Sequence, residues 1–86
     1  MKIMLSLFGA FRGLQAHPVV ELELPAQADV AALRAAVAEH AAAHWPDFRP
    51  ALLAASVFAT EHEVLREHEA LPADGRVAIL PPVSGG

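Results

Sequence analysis

The chain has 86 residues, 55% of them apolar, and a formal net charge of −4. That length makes one small domain, which buries about 60–65% of the surface its unfolded chain exposes, and the apolar share excludes a disordered tail protein. The six cations are scattered, which argues against nucleic acid as a partner, and the absence of cysteine rules out disulfides, CxxC metal sites and a persulfide carried on this chain.

Ile3, Leu5 and Leu7 alternate with Met4, Ser6 and Phe8, which predicts a first strand over 2–8. The same stretch superficially resembles a signal-peptide core, but the alternation and the lack of a small-residue cleavage site argue against one. No apolar run is long enough to cross a membrane, so the expectation is a cytoplasmic protein. Gly9 to His17 reads as a turn region. Val20, Leu22 and Leu24 alternate with Glu21 and Glu23, giving a second strand over 19–24. The connection is short enough for an antiparallel hairpin.

Pro25 ends that strand, and Asp29 stands at the N-cap position of a helix running from Val30 to about His44. Val30, Leu33, Val37 and Ala41 recur at helical spacing and form its apolar face, with Arg34 and Glu39 off the stripe. Pro46 stops the helix. Trp45 and Phe48 read as closing the core at that end, with an exposed binding aromatic as the alternative. Arg49 to Leu53 is expected to be irregular or a short turn. Ala55 to Thr60 follows as a third strand centred on Val57. Glu61 to Glu69 is polar, with a short edge strand around 63–65. Leu71 plugs the core, Asp74-Gly75 turns the chain, and Arg76 to Leu80 is the last strand. This order predicts an α+β roll in which one mixed sheet carries one main helix across one face.

Residues 1–80 thus form the domain and residues 81–86 an extended tail. Pro81 and Pro82 have no N–H to donate, so they end the sheet ladder and project the chain outward. Val83 and Ser84 follow. Gly85 and Gly86 carry no side chains and suit passage through a narrow channel. The expectation is that the carboxylate of Gly86 is the reactive group, presented on a flexible arm that reaches roughly 20 Å into a partner's active site.

Strand phase adds a second candidate. If Val77 and Ile79 point inward, Leu80 points outward, and Phe8 is likewise opposite in phase to Leu5 and Leu7. Phe8 and Leu80 beside the tail root would form an apolar partner-binding patch, unless the chain's own loops cover them. His40 and His44 have the helical spacing by which two imidazoles share a metal, but no glutamate lies between them and His62 and His68 are remote. Solvent-facing histidines and no metal site are expected. Glu61, Glu63, Glu67 and Glu69 form the only charge cluster, either a solvated loop or a surface that steers docking onto a basic partner. No nucleophile motif and no Gly-rich phosphate loop is present.

The ending Leu80-Pro81-Pro82-Val83-Ser84-Gly85-Gly86 resembles that of the small sulfur-carrier subunits of molybdopterin synthase, ubiquitin-like β-grasp proteins. Leu71 to Ile79, Leu7-Phe8-Gly9-Ala10-Phe11-Arg12 and Leu52-Leu53-Ala54-Ala55 also fit that family, so the resemblance covers effectively the whole chain. Departures are Val57-Phe58-Ala59 where the family commonly has Val-Asn, Arg76 where an acidic residue is frequent, and longer stretches at 40–50 and 61–69. The resemblance implies a β-grasp fold. It implies too that an ATP-dependent E1-like enzyme adenylates Gly86, that a sulfurtransferase donor converts the acyl-adenylate to a thiocarboxylate, and that a large catalytic subunit transfers the sulfur to a pyranopterin precursor. On that reading the chain is a sulfur-donating subunit with no bound cofactor, and the catalytic residues lie in the large subunit. Sulfur carriage for thiamine or another metabolite, and a protein modifier or plain interaction module, are the competing functions.

Overall fold

The computed structural model describes residues 1–82. The chain forms β1 (Lys2–Leu7), a 3-10 helix (Gly9–Leu14), β2 (Val19–Glu23), α1 (Val30–His44), α2 (Pro50–Ala55), β3 (Val57–Ala59), β4 (Val64–Leu65) and β5 (Arg76–Leu80). The five strands make one sheet in the order β2-β1-β5-β3-β4. β1 pairs antiparallel with β2 and parallel with β5, and β3 pairs antiparallel with both β5 and β4. This is the mixed β-grasp sheet that the resemblance implies, and β5 runs up its middle.

The register explains the core. Leu5 lies opposite Val77 and Leu7 opposite Ile79, so the inward residues of the two central strands stand side by side. With Ile3, Val20 and Phe58 they form a floor onto which Val30, Leu33, Val37 and Ala41 of α1 pack, all of them buried. The helix begins and ends where capping chemistry predicts. The Asp29 carboxylate accepts the Ala32 N–H at 2.9 Å, and Trp45 caps the other end ahead of Pro46. Trp45 is buried and its indole N–H donates to Gln15 Oε1 at 3.0 Å, so it closes the core and does not present a binding aromatic. Leu71 is buried as expected. In the Asp74-Gly75 turn Gly75 has φ +72°, a conformation that favours glycine.

Four expectations are corrected. The 9–17 segment is not simply a turn: its 3-10 helix buries Phe11 completely in the core. Residues 49–53 are not irregular, because Pro50 sits at the first turn of a helix, where its missing N–H costs nothing, and α2 inserts Leu53 into the core. The third strand is shorter than 55–60, and within it Phe58 is inward and fully buried, whereas Val57, its expected centre, is 40% exposed. The register with β5 decides this, since Phe58 stands opposite inward Ile79 and Val57 opposite outward Leu80. Finally, the 61–69 loop is not merely solvated. Its carbonyls at Glu67 and Glu69 accept the N–H groups of Ala31 and Val30, which satisfies donors that the start of a helix leaves free.

Candidate functional site

The outward face of the sheet, opposite α1, is apolar around the end of β5. Phe8 is 46% exposed and Met4 39% exposed, Leu80 is half-buried, and Ala59, Ser6 and Ala78 lie between them in a shallow depression. Alternation along β1 and β5 places them there, because the neighbours Leu7 and Ile79 are drawn into the core. Val57 extends the patch beside Leu80. Phe8 and Leu80 are thus brought onto one face next to Pro81. Leu80 is less exposed than strand phase alone suggests, since pairing with Val57 on β3 covers part of it. No helix covers the depression among the described residues.

At the tail root, Pro81 is half-buried and Pro82 exposed. Pro81 lies against Gly9, whose φ is +56° and where an added Cβ would stand 2.6 Å from Pro81 Cγ. Sequence reasoning placed Gly9 in a turn and did not connect it to the tail. Val83, Ser84, Gly85 and Gly86, the rest of the expected reactive segment, lie outside the described residues.

The polar candidates divide sharply. Arg34 gathers three groups: its guanidinium donates to the Leu53 carbonyl at 2.6 Å and to the Ser56 carbonyl at 2.9 Å, and it forms a forked pair with Glu67 at 2.8–2.9 Å. It also lies 5.0 Å from the Phe58 ring centroid. The Arg34 hydrogen bond, ahead of every other influence, holds the Glu67 carboxyl below its ordinary range. Glu67 is therefore a structural partner, which leaves Glu61, Glu63 and Glu69 of the acidic loop. Glu69 in turn accepts the Arg66 N–H.

His40 corrects the expectation of solvent-facing histidines. Its ring lies 4.5 Å from that of His44 and edge-on to Trp45 at 5.2 Å, and its Nε2 is buried without a hydrogen-bond partner among the described residues. Burial, and then the neighbouring His44, push its pKa down. Among the described residues no three His, Cys, Asp or Glu side chains are gathered as metal ligands. His68 stands near Asp29, at 3.8 Å, far from the helical pair in sequence and well exposed.

A second concavity lies between α1 and α2, floored by Ala35, Ala38 and Ala42 and walled by Trp45, Phe48 and Leu53. Its one charged lining residue, Arg34, is already engaged, so it holds no group free for chemistry. Among the described residues no helix is long and apolar enough to cross a membrane.

Comparison with known proteins bears on the whole chain. A sequence model of the ThiS family matches residues 5–86. Among solved structures, the crystal structure of SAMP1 from Haloferax volcanii superposes with a TM-score of 0.74 at 22% identity, over 100% of both chains. At that identity the likeness speaks for the fold. Comparison with curated protein sequences gives no match.

Proposed function

The chain belongs to the ThiS family of ubiquitin-like sulfur carriers, and from that premise we propose that it is the sulfur-donating small subunit of a molybdopterin synthase, with Gly86 as the residue that carries the sulfur. The observation that supports this reading is the outward patch of Phe8 and Leu80 at the point where β5 runs into Pro81-Pro82-Val83-Ser84-Gly85-Gly86. A docking surface and a reactive segment that leaves from its edge are the two parts a carrier needs. The Pro-Pro-Val-Ser lead favours the molybdopterin branch over carriers for thiamine or other metabolites.

The chemistry follows from the weakness of a carboxylate as an electrophile. A Gly86 carboxylate oxygen attacks the α-phosphorus of ATP on an E1-like adenylating enzyme, and pyrophosphate leaves. A thiol reductant cleaves the S–S bond of the sulfurtransferase donor's persulfide, forming a disulfide with the donor, and the sulfide released then attacks the acyl carbon. The new C–S bond replaces the C–O bond to AMP, AMP departs, and a thiocarboxylate remains. The loaded segment enters the large catalytic subunit, which supplies the acid–base groups and the pyranopterin pocket. The small side chain of Ser84 and the bare backbone of Gly85 suit a narrow passage, and Phe8 and Leu80 hold the two subunits together.

Intact mass of the protein isolated from its native host tests the reading. An exchange of one oxygen for sulfur is expected, and one residue added after Gly86 should abolish it while leaving the melting temperature unchanged. Normal sulfur loading of the extended chain would sink the assignment to Gly86. A ladder of lysine conjugates in place of the thiocarboxylate would make the chain a protein modifier. Reconstitution with the large subunit and pyranopterin precursor then separates this branch from carriers for other metabolites.

A further inference from the structure

Gly9 opens the 3-10 helix directly after Phe8 with φ +56°. A Cβ built there would lie 2.6 Å from Pro81 Cγ and 3.3 Å from Pro81 Cδ, and real Cβ atoms essentially never come within 3.0 Å of a neighbour. Gly13, in the same 3-10 helix, is the contrast: an added Cβ there meets nothing within 4 Å. Space around the helix is therefore open at Gly13 and taken up by one ring at Gly9. The Pro81 ring is fused to its own main chain. It cannot swing aside as a flexible side chain would, so whatever displaces the ring displaces the backbone at the root of the segment.

We propose that Gly9 is a positioning residue for the reactive segment: its bare backbone seats Pro81 and thereby sets the direction in which the chain leaves β5. The proposal rests on the carrier reading above, in which that direction matters. Phe8 and Leu80 immediately precede Gly9 and Pro81 in the chain, so docking and aim are coupled through adjacent residues but carried by different ones. A segment that docks normally and points wrongly loses rate more than affinity, since a misplacement of about 1 Å at the reacting atom costs on the order of 100-fold.

The test uses the full chain and the adenylating enzyme of its native host, followed by ATP–pyrophosphate exchange. Gly9→Ala, Pro81→Gly, the double variant and Gly13→Ala are compared with the wild type. Gly9→Ala is expected to lower kcat about tenfold or more with KM within about twofold, and Gly13→Ala to match the wild type. The double variant should fall no further in kcat than Pro81→Gly alone, because the close neighbours of a Cβ at position 9 are all atoms of the Pro81 ring, which Pro81→Gly removes. The left-handed strain at Gly9 should still lower the melting temperature of the Gly9→Ala variant and of the double variant. Effects on kcat that multiply, or a loss confined to KM, would overturn the role. A nuclear Overhauser contact between Gly9 Hα and Pro81 Hγ in the wild type is expected, and its absence would overturn the role even if Gly9→Ala does not fold. No adenylation of the wild-type chain would overturn the carrier reading and this proposal with it. Normal adenylation with independent effects overturns the proposal alone.

Discussion

His40 has its Nε2 shut off from solvent against Trp45, with His44 beside it. A proton added there is desolvated and repelled, so the folded protein binds it less readily than the unfolded chain, whose histidine keeps the ordinary value of 6.5. The unfolded state therefore binds more protons as pH falls below 6.5, and stability rises with pH through the window beneath that value. The expected outcome is a urea midpoint that drops between pH 7.5 and pH 5.5, with Trp45 fluorescence as the probe. His40→Leu should flatten that dependence, because it removes the titration and fills the same apolar site. A variant with the full wild-type slope would move the effect to another group. Spacing on the helix revealed the pair of histidines in the sequence. It could not reveal that the following turn folds Trp45 back against one of them.

Arg34 acts between elements. One guanidinium on α1 closes the last turn of α2 at Leu53, the start of β3 at Ser56 and the acidic loop at Glu67. The loop in turn delivers the Glu67 and Glu69 carbonyls to the first N–H groups of α1. Arg34→Ala should lower stability by about 2 kcal/mol, through lost charge-assisted bonds and carbonyls left without a donor. Glu67 is well exposed, so its side chain should contribute the smaller part. Arg34→Lys should recover less than half of the loss, since an ammonium cannot span the same fork. Denaturant midpoints of the three chains check this, and a Lys variant as stable as the wild type would show that charge alone suffices. The depressed Glu67 carboxyl gives the pair a pH signature of the same sign as that of His40, in a lower window. Its contribution is present above the ordinary carboxylate value of 4.5 and fades only as pH falls below that through the folded pKa.

For the molecule as a whole, the two faces of β5 carry opposite consequences. Val77 is 3% exposed within the core, whereas Leu80 is half-buried on the outward face beside Phe8. Val77→Asp puts a charge into the apolar interior and should unfold the domain. Leu80→Asp should leave a cooperative fold with a modest loss of stability from its contact with Val57. On the proposed function it should weaken the complex with the large subunit well over tenfold, as truncation of a buried interface anchor costs about 2 kcal/mol or more. Circular dichroism melts of both variants, and binding of the folded one, check the pair. If Leu80→Asp unfolds the protein and Val77→Asp does not, the docking face belongs on the other side of the sheet.

Local pattern carried much of this protein. The alternation over 3–7 and 20–24, the Asp29 cap, the α1 stripe, the Asp74-Gly75 turn and the phase of β5 were all legible, because each depends on residues within a few positions of one another. The outward placement of Phe8 and Leu80 followed from the same period-two rule. What local pattern missed was set by contacts between distant segments. The phase of β3 came from its register on β5, the helical 50–55 segment from the need to seat Leu53 in the core, and the burial of Phe11 from its packing in the core. The seat of Pro81 on Gly9 joins residues 72 positions apart. A glycine in a sequence announces only freedom of its own backbone. Which ring comes to rest on it is decided when the parallel pairing of β1 with β5 brings the C-terminal ends of the two strands to the same edge of the sheet.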